Sequence, residues 1–207
     1  VLRKEKNPQY VDLAGTWANP IVMSTGNGGT VRVVIRHENG RLNVNALARK
    51  DANRSARLDQ ALLLCDTAGL PYGIIPAIID WVDADGDVTR LESVSHDNTG
   101  AENDYYMGLE QPYACRNGTV DMIGELGPVR GITAGMLSRS SAGPEGIFAA
   151  AVTTFGAETV NLNTAPMSVL GSLDARIDES MVEDIDRARR LKPFRTLDDL
   201  LSVPGMT

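Results

Sequence analysis

Two cysteines and two histidines in 207 residues leave this chain poor in the ligands that build a zinc site. Cys65 and Cys115 stand far apart, His37 and His96 fall in different segments, and no pair has a short chelating spacing. The same scarcity argues against nucleophilic catalysis, because neither histidine has a serine or cysteine nucleophile pattern around it. The cysteines read either as two free thiols or as one disulfide. A bridge would close a loop of about fifty residues, stabilise the fold by roughly 4 kcal/mol in the chain-entropy account, and place the protein outside the cytoplasm. No run reaches about eighteen consecutive apolar residues, so none of these residues is expected to span a bilayer. Positive charge is scarce too, with 20 Lys and Arg against 27 Asp and Glu and a formal net charge of -7. The basic residues are dispersed, which argues against gripping phosphate backbones as the main task. The start, Val1 to Lys6, has no signal-peptide pattern and no Met, and reads as a trimmed beginning.

What is present suits a folded chain. Hydrophobic content of 43% and charged content of 23% are ordinary for a globular protein, and the length allows one good core or two small ones sharing an interface. Tyr10, Leu13, Ala14, Trp17 and Ala18 recur at helical spacing before Pro20. Ser24 to Gly29 is a polar turn, and Val31, Val33 and Ile35 then alternate with Arg32 and Arg36 as a strand buried on one side. Asn39-Gly40 predicts a hairpin with a return strand over Arg41 to Asn45. A second hairpin is expected around Gly156, with strands Ala149 to Phe155 and Thr159 to Asn163. Between the two lies a long helical stretch. Leu58, Ala61, Leu62 and Cys65 share one face of a helix ending at Gly69, and Pro76 opens the next. Short helices are expected at Val120 to Leu126 and Ala134 to Ser138, capped by Thr119 and Thr133. Three more follow, capped by Thr164, Asp178 and Thr196.

The densest chemistry lies between Asp80 and Tyr106. Ile74, Ile75, Ile78, Ile79 and Val82 form a buried helix face that runs directly into Asp83, Asp85 and Asp87, with Gly86 at the turn and Glu102 and Asp104 arriving later. Hard divalent cations take six to eight oxygens, and alternating aspartates on a flexible loop can deliver several carboxylates to one point. The alternative is a solvated, cap-forming loop. Trp81, Tyr105 and Tyr106 favour the metal reading, since they would fix both ends of the loop against a core. A metal-assisted hydrolase would also need an open coordination position and a cleft, which no motif announces. One element occurs twice, as Leu42-Asn43-Val44-Asn45-Ala46-Leu47 and Val160-Asn161-Leu162-Asn163-Thr164-Ala165. Its asparagines read as turn and cap residues.

Taken in order, several of these segments resemble minor pseudopilin K of bacterial type II secretion systems, also called general secretion pathway protein K. They are Gly40 to Leu47, Ile79 to Asp85, Gly100 to Tyr106, Gln111-Pro112-Tyr113 with Arg116-Asn117, Glu125-Leu126 and Val160 to Pro166. Leu13 to Trp17 resembles the short entry that follows this family's anchoring helix. The resemblance implies an α+β fold: a pilin-like antiparallel sheet with a large helical insertion, SAM-like or helix-hairpin-helix-like, and a C-terminal helical segment. The expected division is 1–46 for the first strands, 47–148 for the insertion with its acidic calcium loop, 149–164 for the returning strands and 165–207 for a second SAM-like segment. It also implies structural calcium, carried over to Asp83, Asp85, Glu102 and Asp104, with Asp87 in the more variable part of the loop. The expected role is a non-catalytic periplasmic head at the pseudopilus tip with minor pseudopilins I and J, with pseudopilin H and the secretin as further contacts. Its hydrophobic anchoring helix would precede residue 1 and sit in the inner membrane. Two other readings stay open. One is a minor pilin of a related type IV pilus system. The other is a helix-hairpin-helix nucleic-acid module over Asn163 to Gly205, whose hairpin, Leu173 to Glu179, carries carboxylates and no glycine.

Overall fold

The protein is described from a computed structural model over residues 11–13, 15–138 and 143–206. Its fold is α+β, with two small sheets and six α-helices among these residues. Strands β1 (Ile21–Ser24) and β2 (Thr30–Val33) pair antiparallel around a turn in which the Thr25 N–H donates to the Gly29 carbonyl and Gly28 takes a φ of 83°. All of β2 is exposed, so the one-sided burial expected for Val31 and Val33 is not found. Among the described residues of the N-terminal stretch, a 3-10 turn, Thr16–Ala18, buries Trp17, while Tyr10 and Ala14 of the expected helix lie outside the described residues.

Asn39-Gly40 does not reverse a hairpin. Glu38–Gly40 is a 3-10 turn, and Gly40 is buried where a Cβ would lie 2.7 Å from the Thr164 carbonyl oxygen. Glycine serves here for close backbone approach rather than for a positive φ. The following strand β3 (Leu42–Asn43) pairs in parallel with β4 (Val152–Thr153), and nothing in Thr159 to Asn163 forms a strand. Parallel neighbours require a crossover. That crossover is the whole helical insertion, whose last helix runs to Ala151 and so extends past the expected boundary at 148.

Within the insertion, α1 (Arg54–Ala68) buries Arg57, Ala61, Leu64, Cys65 and Ala68, a stripe turned slightly from the expected one, and ends at Gly69 with a left-handed φ of 64°. Helix α2 (Ile74–Val82) is buried at all nine positions. A helix apolar at every position but one, Asp80, belongs inside a core, and each fully buried isoleucine contributes about 1.5–3 kcal/mol. Helix α3 (Asn103–Met107) is short, Ile123–Leu126 is a 3-10 turn whose Glu125 Oε1 accepts from the Met122 N–H at 2.9 Å, and residues 134–137 form turns. Helix α4 (Gly143–Ala151) returns the chain to β4 and packs on α1. Helix α5 (Met167–Gly171) starts after Pro166 rather than at Thr164. Asp178 caps α6 (Glu179–Leu191) by accepting from the Met181 N–H at 2.9 Å. Thr196 heads a 3-10 turn, Leu197–Ser202. One core cluster runs through both helical segments, from Leu42 to Val203.

Candidate metal centre

The acidic loop leaves α2 at Asp83 and returns at Glu102, and its ends are held by aromatic packing. The Trp81 ring stands edge-on to Tyr106 at 5.1 Å, and Tyr113 lies 5.3 Å from Tyr106. Tyr106 is fully buried, whereas Tyr105 is exposed and carries the Arg130 guanidinium 5.3 Å from its ring centre. Cys115 sits beside the site, its thiol donating to the Asp80 carbonyl at 3.6 Å, and both cysteines are free.

Four oxygens near these ends are buried without a hydrogen-bond partner: Asp80 Oδ2, Asp83 Oδ1, Glu102 Oε1 and Asn117 Oδ1. Each belongs to a side chain already fixed at its other end or by its backbone. Asp80 Oδ1 accepts from the Thr89 N–H at 2.9 Å, Glu102 Oε2 accepts from the Asn103 N–H at the start of α3, and Asn117 Nδ2 donates to the Asp85 carbonyl at 2.8 Å. Asn117 adopts a positive φ of 47°. Asp80 is 0% exposed and Glu102 4% exposed. Leaving a buried polar atom unpaired costs about 1–3 kcal/mol, more when it is charged.

The acids also repel one another. Burial, then the charges of Asp85, Asp80 and Glu102, pushes Asp83 up to about 6. Burial raises Asp80 and Glu102 as well, with Asp85 contributing to both and Asp80 adding to Glu102. Asp85 goes the other way, held low chiefly by the Lys50 ammonium, which donates to its Oδ2 at 2.7 Å. Asp85 Oδ1 accepts from the Asp87 N–H.

Of the five carboxylates expected from the sequence, Asp83, Asp85 and Glu102 therefore share one electrostatic neighbourhood. Asp87 and Asp104 are exposed and stand at its edge, Asp104 lining a cavity of about 370 Å3 together with Glu102 and Asn117. Asp80 and Asn117 join the group and were not among the expected ligands. Asp80 reads in sequence as a helical residue that caps or pairs with a neighbour, and Asn117 as half of an Asn-Gly turn, so neither announces itself as a donor. The donor chemistry fits a hard divalent cation, since the unpartnered acceptors gathered at the loop ends are four oxygens, the one other unpartnered atom there being the Trp81 indole N–H, which cannot ligate. As the side chains stand, no three His, Cys, Asp or Glu residues among those described converge on one point close enough to hold an ion.

The repeated asparagine element is structural in both copies. Asn43 and Asn161 each accept from the N–H two residues on. Asn45 clamps Val120 through both its amide groups, and Asn163 clamps Phe194 in the same way, each bond at 2.8 or 2.9 Å. In the C-terminal hairpin, Asp174 accepts from the Arg176 guanidinium through both carboxylate oxygens.

Comparison with known proteins places these features. A family profile described as type II secretion system (T2SS), protein K, matches residues 40–141. Type II secretion system protein K of Pseudomonas aeruginosa PAO1 is 30% identical over 205 residues, covering 94% of this chain and 56% of the relative. A putative type II secretion system protein K of Escherichia coli K12 is 29% identical over 143 residues, covering 64% of this chain and 41% of the relative. This chain thus spans about half the length of these curated relatives. Among solved structures, the GspK-GspI-GspJ complex of the enterotoxigenic Escherichia coli type 2 secretion system contains a chain similar in fold. The TM-score is 0.68 at 24% identity, over 96% of this chain and 67% of that one.

Proposed function

Since the chain belongs to the type II secretion system protein K family, we propose that it acts as a non-catalytic minor pseudopilin head, presented in the periplasm at the tip of the pseudopilus. The observation that carries this reading is the insertion. It leaves at β3 and returns at the adjacent β4, so about half the chain hangs from one point of a small sheet. A head widened in this way is poorly suited to repeated stacking along a thin filament and well suited to a single terminal place. The partners we infer are minor pseudopilins I and J, supported by the complex in which the similar solved chain is found. The anchoring helix and inner-membrane location belong to this proposal too, and they rest on the family alone; no helix among the described residues is long and apolar enough to cross a membrane.

Calcium is the cation proposed for the acidic centre. Asp80, Asp83, Glu102 and Asn117 would hold it, with Asp85 and the exposed Asp87 and Asp104 available at the edge. When bound it would supply charge neutralisation and partners for oxygens that otherwise have none. The residues themselves position the two loop ends on α2 and α3, and the Trp81, Tyr106 and Tyr113 rings keep that anchor rigid.

Co-elution tests the assembly role. The purified chain, in calcium, is mixed with the soluble heads of pseudopilins I and J from the same organism and run on size exclusion. A stoichiometric ternary complex is expected. Folded, calcium-loaded protein that elutes alone would overturn the partner assignment.

A further inference from the structure

A cavity of about 390 Å3 lies between the N-terminal stretch, the residues leaving β2, and α6, and shares no lining residue with the acidic centre. Its wall carries four arginines, Arg36, Arg41, Arg189 and Arg190, against one aspartate, Asp186, in a chain whose net charge is -7. Their partners decide which of the four are available. Arg189 is 6% exposed and committed, with Nε and Nη2 on Asp186 and Nη1 on the carbonyls of Leu162 and Ala165. Arg41 is buried and donates to both carboxylate oxygens of Glu38. Arg190 is exposed and gives only its Nε to Asp186, at 2.7 Å. Asp186 therefore serves two guanidiniums, and both terminal amino groups of Arg190 stay available. Arg36 is exposed and makes no ion pair or side-chain hydrogen bond among the described residues. The rest of the wall is largely apolar, with Trp17 packed near His37 and Met167 half exposed.

We propose that this cavity is a socket for a carboxylate-bearing peptide segment of another polypeptide, an Asp or Glu flanked by an apolar residue. Guanidinium forks match carboxylates in bidentate geometry, and Arg36 and Arg190 bring two of them to one opening. The apolar wall selects against a bare inorganic anion, which has nothing to bury there, and Met167 supplies an adaptable surface for an aliphatic neighbour. The volume lies near the small end of the range for ligand sites, roughly 300–1,000 Å3, and so suits one or two side chains rather than a cofactor. This proposal depends on neither the calcium centre nor the tip assignment.

The chain has two tryptophans, one at each site, which makes the test internal. Trp17 lines the socket, and Trp81 packs against Tyr106 in the insertion. The 15N-labelled full chain is titrated with Ac-Leu-Glu-Leu-NH2, with Ac-Leu-Gln-Leu-NH2 and with inorganic phosphate, following the two indole N–H resonances in the millimolar range. The glutamate peptide is expected to move the Trp17 signal and leave that of Trp81 in place. The glutamine peptide should bind at least tenfold more weakly, as should the glutamate peptide to Arg36→Gln and to Arg190→Gln, since one charge-assisted hydrogen bond corresponds to about tenfold or more. Both arginines are exposed, and an unchanged Trp81 signal verifies that each variant is folded. An unmoved Trp17 signal, equal binding of the two peptides, or phosphate reproducing the shift with the same arginine dependence would each overturn the socket.

Discussion

At the scale of single residues, asparagine does more than its turn chemistry requires. Asn45 and Asn163 each pair with the backbone N–H and C=O of one distant residue, as a neighbouring strand would, and so join segments far apart in sequence. Asn163 is buried, so truncation strands two backbone groups of Phe194 away from water. Asn163→Ala is expected to destabilise by about 2–4 kcal/mol in urea melts. Asn163→Asp should be no better, because it sets a carboxylate oxygen against the Phe194 carbonyl. Stability within 0.5 kcal/mol of wild type (roughly the noise for surface changes) would show that the clamp is dispensable. His37 makes a pH prediction. Burial pushes it below its ordinary value of 6.5, against an upward pull from Glu38, while its Nδ1 lies 3.0 Å from Thr164 Oγ1. The unfolded chain then takes up the proton first, so the contribution is full above pH 6.5 and is lost as pH falls through the lower folded value. The urea midpoint of the wild type should drop across that window more than that of His37→Gln, and parallel profiles would remove His37 as the cause.

At the scale of elements, what could be read in the sequence was what depends on near neighbours. The end of α1 at Gly69, the buried face of α2 and the Asp178 cap all follow from local periodicity or from one side chain and its own backbone. Pairing did not follow, since the partner of β3 lies beyond the whole insertion and Gly40 is small because of Thr164, which no local pattern encodes. The acidic centre divides along the same line. Asp83, Asp85 and Glu102 were visible as a spaced cluster, while Asp80 and Asn117 enter it only through tertiary burial. Asp83→Asn tests whether the element is held apart by its own charge. The amide removes a group that burial and Asp85 push up to about 6. In chelator, the variant should therefore match or exceed wild type in thermal stability, and added calcium should raise its melting temperature less. A variant destabilised in chelator yet fully responsive to calcium would place Asp83 outside the site.

At the scale of the whole molecule, one core cluster joins the insertion to the C-terminal helices, so an event at the acidic loop is felt in global unfolding. Helix α2 transmits it. Its apolar side packs in that core, and the same helix carries Asp80 and leads directly into Asp83. A cation that binds only the native state stabilises it by about 2.7 kcal/mol at a hundredfold excess over its dissociation constant. For a chain of this size each kcal/mol corresponds to roughly 2–4 °C. Chelation of metal-loaded protein is therefore expected to lower the melting temperature by about 5–10 °C. Calcium should restore it and magnesium should do so poorly, because the smaller ion demands octahedral geometry and gives up its water reluctantly. The scan is calorimetric, on protein whose metal content is measured first. A melting temperature that chelation leaves unmoved in loaded protein would detach calcium from the fold. Equal rescue by magnesium would instead assign the centre to charge neutralisation alone, without selectivity in the donor set.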